Sequence, residues 1–116
     1  MHDHKSLLAW QQAKAVVHLV MLATLKCRQP YAVVDQLQRA ALSVQLNIAE
    51  GYAFKTERRF RNHLDIAYAS AVETAELLEL SGDLNLFPSE VARDALEHCR
   101  QSQRLLRGLI SRLRRS

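Results

Sequence analysis

Helix breakers are scarce in this chain. Among 116 residues there are only three Gly and two Pro, so few places exist at which a long helix must stop. Cysteine is nearly absent: two residues make no disulfide framework. Aromatic residues contribute 6%, so in any contact with nucleic acid stacking is expected to be a minor term and base readout poor. Long apolar runs are missing as well. The longest, 15–25, is broken by His18 and Thr24, whereas a bilayer span needs about 20 apolar residues. The chain opens Met-His-Asp-His-Lys and passes straight into a helical pattern, so no secretory leader and a cytoplasmic location are expected. Strand-like alternation, internal repeats and low-complexity tracts are also lacking.

What is present is apolar and periodic. Nearly half of the residues are hydrophobic, enough to build a core and to exclude disorder. The punctuation predicts four helices in one domain spanning 1–116, at about 5–26, 32–50, 57–81 and 88–113. Arg28-Gln29-Pro30 stops the first, and Gly51 marks the end of the second. Thr56 caps the third, which closes at Gly82-Asp83, and Pro88 opens the fourth. Leu37, Ala41, Val44 and Ile48 share one face; so do Phe60, Leu64, Ala67, Ala71 and Leu78, and likewise Ala95, Cys99, Ser102, Leu106, Leu109 and Leu113. Matched lengths and short connections favour an all-α, antiparallel, up-down-up-down four-helix bundle.

The first helix breaks the pattern by excess. Val16, Val20 and Ala23 suffice for a core face, yet Val17, Met21, Leu22 and Leu25 carry the apolar stripe around most of the circumference. A contiguous surplus of this kind predicts a subunit interface and hence a homo-oligomer.

Charge is sorted by the expected fold. The net charge is only +4. An up-down bundle, however, gathers Lys5, Lys55, Arg58, Arg59, Arg61, Arg104, Arg107, Arg112, Arg114 and Arg115 at one end. Asp35, Glu76, Glu79, Asp83, Glu90 and Asp94 fall at the other. Arg93, Arg100, Arg104, Arg107 and Arg114 form a stripe along the fourth helix, and Lys55 to Arg61 place a second cluster at a helix start. Cations of the last turn also complement the helix dipole, which accounts for Arg112, Arg114 and Arg115 but not for the second cluster. The pattern points to RNA or DNA phosphates. A solvated face on a protein-interaction scaffold is the alternative.

Arg39, Ser43, Asn47 and Glu50 lie on one ridge of the second helix. With the turn centred near Phe54 and Lys55, Arg39 comes beside Ser70 and one turn from Glu73, and Glu50 comes near Arg58 and Arg59. A structural polar network between helices two and three is expected, with Arg39 and Glu73 as partners. Catalysis is not. His2 and His4 are too few for a metal site, and His98 and Cys99 point apart on one helix. Phosphate loops, metal motifs and nucleophile elbows are absent, so neither enzyme activity nor a cofactor is expected.

The stretch 36–51 carries Gln-Leu-x-Arg-Ala at Gln36 to Ala40, then Ser43, then Asn47-Ile48-Ala49-Glu50-Gly51. Phe60, Leu64, Ile66, Ala67, Ser70 and Glu73 form a second stretch, and Trp10-Gln11-Gln12-Ala13 a third. Together they resemble the 23S rRNA intervening-sequence proteins, called simply four helix bundle proteins; Gln45-Leu46 departs from relatives that carry Pro or a small residue before Asn47. The resemblance implies similarity to the accessory protein of diversity-generating retroelements, a basic pentameric barrel that works with a reverse transcriptase and nucleic acid. A pentamer, and a reverse transcriptase as partner, are implied on that basis alone.

Overall fold

The computed structural model describes residues 3–25 and 31–115, with the side chains of Tyr31 and Arg115 left aside. The expected stop at Arg28-Gln29-Pro30, along with His2, Cys27 and the Arg115 side chain, lies outside the described residues. Four helices are present: α1 Leu8–Thr24, α2 Tyr31–Ala53, α3 Glu57–Asp83 and α4 Ser89–Arg115. A 3-10 turn, His4–Ser6, precedes them. No strand occurs among the described residues. Nor is any of their helices long and apolar enough to cross a membrane.

The ends of the helices obey local chemistry, in two places differently from expectation. Asp3 caps the 3-10 turn by accepting from the Lys5 amide, so α1 begins at Leu8 rather than near Lys5. Thr56 caps α3, its hydroxyl accepting from the Arg59 amide at 3.4 Å. At the far end α3 closes at Asp83, as the Gly82-Asp83 pair predicts, and Asn85, whose φ of 54° is left-handed, makes the turn that follows. The Leu86 amide donates to the Ser81 carbonyl and the Asn85 amide to that of Gly82, at 3.0 and 3.1 Å. This is the Schellman pattern, which Asn supports because its short polar side chain tolerates that backbone region. Gly51, by contrast, is not a stop. It lies inside α2, buried, where an added Cβ would stand 2.6 Å from His63 Cβ. Its missing side chain lets α2 and α3 approach closely.

Packing follows the periodic faces. Leu37, Ile48, Leu64, Leu78 and Leu106 are fully buried, and Ala13, Ala41, Ala71 and Cys99 supply small side chains to the same core. Contacts across α2 and α3 pair 36 with 73, 43 with 70 and 47 with 63, so numbers rise on one helix as they fall on the other. Residues 98 and 102 of α4 meet 12 and 9 of α1, and 100 and 114 meet 79 and 65 of α3. The molecule measures 44 × 22 × 20 Å, an elongated body in which each long helix spans most of the length.

α1 accommodates more of its apolar surface than its sequence suggests. Val16, Val17 and Val20 are all buried and Met21 packs against the core, because α1 touches α2 on one side and α4 on another. Val17 therefore does not face outward, and Met21 does so only in part. Leu22 and Leu25 remain, 69% and 75% exposed.

Candidate nucleic-acid interface

The seam between α2 and α3 carries a ladder of polar contacts built from the Ser43, Asn47 and Glu50 ridge. Ser43 Oγ and Ser70 Oγ are 2.7 Å apart. Asn47 Nδ2 donates to the Ser43 carbonyl at 2.9 Å, which turns its Oδ1 toward His63 Nδ1, also at 2.9 Å. The ring nitrogen therefore carries the proton. Glu50 Oε2 stands 4.0 Å from that nitrogen. Phe54 stacks on the His63 ring at 5.3 Å, and the Arg59 guanidinium covers Phe54 at 4.9 Å. Tyr52 meets Phe60 edge-on beside them.

Two expected partnerships are not formed. Arg39 pairs with Asp35 on its own helix at 2.9 Å, and Glu73 accepts instead from Gln36. The backbone register is the expected one, but Asp35 lies a single turn away on the same exposed face and captures the guanidinium first. Glu50 likewise approaches His63 rather than Arg58 or Arg59. His63 was not anticipated, although the same register places it opposite Asn47. It is the residue that ties the Asn-Ile-Ala-Glu-Gly stretch to the first turns of α3.

The cations divide into paired and unpaired. Along the α4 stripe, Arg100 meets Glu79 at 3.5 Å, Arg104 meets Glu97 at 3.9 Å and Arg114 meets Asp65 at 3.4 Å. These exposed pairs are worth little in stability, but they reduce the stripe's free charge. Lys5, Lys55, Arg58, Arg59, Arg61, Arg107 and Arg112 toward the basic end, and Lys14 and Arg93 elsewhere, have no ion-pair partner among the described residues. Arg112 borders a groove with Ser6, Leu7, Leu8, Leu105 and Leu109, which brings the last turns of α4 to the N-terminal turn. Arg114 reaches Asp65, about two turns into α3. The free cations of the basic end stand on neighbouring helix ends, with Thr56 and the α3 N-terminus between Lys55 and Arg58.

Two further polar contacts tie α4 to its neighbours. His98 Nδ1 lies 2.6 Å from Gln12 Oε1, linking α4 to α1. Cys99 Sγ donates to the Ala71 carbonyl at 3.2 Å, and burial pushes its thiol up to about 11. At neutral pH it is a protonated core residue and not a nucleophile. No group of three or more metal-ligating side chains occurs among the described residues.

With this geometry in view, comparison with known proteins is informative at the level of the family. No curated protein matches the chain. The family model of the 23S rRNA-intervening sequence protein matches residues 5–108, a span that includes all of α1, α2 and α3 and most of α4. On that coverage, the chain belongs to the 23S rRNA-intervening sequence protein family.

Proposed function

We propose that this protein is a non-enzymatic, homo-oligomeric accessory protein of the cytoplasm that binds nucleic acid through one basic end of an antiparallel, up-down-up-down bundle. The opposed numbering of the cross-helix contacts supports the arrangement, because it brings the α2–α3 turn and the α4 C-terminus to the same end. The observation that carries the function is the gathering at that end of cations that lack acidic partners among the described residues, Lys55, Arg58, Arg61, Arg107 and Arg112 chief among them. An unneutralised cluster of this kind is an electrostatic footprint for phosphate. Arg supplies most of it, and its planar fork suits phosphate oxygens. A pentamer, and work beside a reverse transcriptase, follow from the family resemblance. A ring would repeat the basic end on each subunit and add weak contacts by avidity.

The test is the salt dependence of single-stranded RNA binding. Five phosphate contacts release counterions and give a log–log slope of about −3.5 per subunit engaged, at roughly −0.7 per contact. A protein that binds no RNA or DNA at low salt is a scaffold with a solvated basic face.

A further inference from the structure

The groove between α3 and α4 has a volume of about 520 Å³ and is lined by Asp65, Tyr68, Arg107, Ile110, Ser111 and Arg114. Its size falls in the roughly 300–1,000 Å³ range of small-ligand sites. The sequence builds it by spacing alone. Asp65 and Tyr68 lie one turn apart on α3, and Arg107, Ile110, Ser111 and Arg114 share one face of α4. The two walls differ in chemistry. Tyr68, half-buried, packs against the core on one side and borders the groove on the other, next to the largely buried Ile110. Arg107 and Arg114 are exposed at successive positions along the lip. Asp65 holds Arg114 at 3.4 Å, whereas Arg107 has no acidic partner among the described residues.

We propose that this groove seats one nucleotide of a single strand, its base against Tyr68 and Ile110 and its phosphate on Arg107. The assignment rests on the nucleic-acid reading above and gives it a place and a polarity. The Asp65 carboxylate repels phosphate from its own end of the groove, so the backbone passes by Arg107, with the Ser111 hydroxyl in reach as a donor. A flat ring on an aromatic face stacks without regard to base identity. A simple inorganic anion would leave the Tyr68 and Ile110 wall unused. The groove opens onto the surface, as a strand that continues in both directions requires.

The experiment compares a short fluorescein-labelled single-stranded RNA with inorganic polyphosphate, which has charge but no base. Tyr68→Ala should weaken RNA binding roughly 5- to 150-fold, the worth of one stacked base, and leave polyphosphate binding unchanged. Tyr68→Phe should bind RNA as the parent does, since the aromatic face is kept. Arg107→Gln should weaken both ligands. A second readout needs no variant: RNA substituted with 5-iodouridine, irradiated on the parent protein, should crosslink to Tyr68. If the parent binds RNA but folded Tyr68→Ala binds it equally well, the groove assignment falls and the basic-end reading stands. Should Tyr68→Ala not fold, crosslinks confined to other residues overturn the groove in the same way. If the parent binds no RNA at low salt, both readings fall.

Discussion

Replacing Gly51 by Ala sets two physical effects against each other. In an open helix the change is favourable by roughly 0.5–1 kcal/mol, because Gly loses more backbone entropy on folding. Here the new Cβ would stand 2.6 Å from His63 Cβ, 3.2 Å from Phe60 Cδ1 and 3.3 Å from His63 Cγ. A Cβ is tied to its backbone, so relief requires α3 to move away from α2, and overpacking of that sort costs about 1–3 kcal/mol. Moving His63 also stretches its 2.9 Å hydrogen bond to Asn47, worth about 0.5–1.5 kcal/mol. The sum is a net destabilisation of roughly 0.5–4 kcal/mol. The other two glycines serve as controls. An added Cβ meets only ordinary contacts, 3.9 Å from Ala92 at Gly82 and 3.7 Å from Arg112 at Gly108, and neither glycine has a positive φ. Gly82→Ala and Gly108→Ala should therefore be neutral or stabilising by up to about 1 kcal/mol. Urea denaturation followed by circular dichroism, at one fixed protomer concentration, measures all three. A Gly51→Ala protein as stable as the parent would refute the close-approach argument.

Further outcomes are expected elsewhere in the fold. A double-mutant cycle of Ser43→Ala with Ser70→Ala should show coupling of about 0.5–1.5 kcal/mol, and one of Arg39→Ala with Glu73→Ala should be additive. In a Cys27→Ser background, Cys99 should react with a thiol-specific reagent only after unfolding. Its raised thiol pKa, about 11 against 9.0, gives the fold a contribution that is fully present below pH 9. That contribution, about 2–3 kcal/mol, is lost as the pH climbs toward 11, which a pH series of urea midpoints would detect. Leu22→Glu with Leu25→Glu should give smaller, still helical species by light scattering, whereas Val17→Glu should unfold the subunit.

Much of the architecture was legible in the residues, and the misses share a cause. Four helices, the Thr56 cap and the register centred on Phe54 and Lys55 follow from backbone preference and apolar period. That register also places Ser43 against Ser70 and Asn47 against His63, so His63 was within reach of the same arithmetic. What the sequence hid was competition among side chains. Arg39 takes Asp35, one turn away, and Glu73 on the facing helix takes Gln36. Gly51 reads as a stop because Gly commonly ends helices, yet it lies inside α2 and serves a close approach. Val17 read as surplus because a helix touched on two sides buries a wider stripe than a single apolar face implies. Along the α4 stripe, the pairing of Arg100, Arg104 and Arg114 depends on acids of α3 and α4 whose rotamers no spacing rule specifies. The groove beside Tyr68 was likewise invisible, since it needs the α3–α4 contact to exist.

The central claim is that unpaired cations of the basic end contact phosphate. Its most direct measurement is the salt slope of RNA binding by the parent and by a variant carrying Arg58→Gln, Arg61→Gln and Arg112→Gln. All three cations lack acidic partners among the described residues, so their neutralisation strands no carboxylate there and should leave the helical signal intact. The account predicts weaker binding and a slope flatter by about 2, roughly 0.7 for each lost contact. An unchanged slope, with the variant folded and the parent binding RNA, would contradict it.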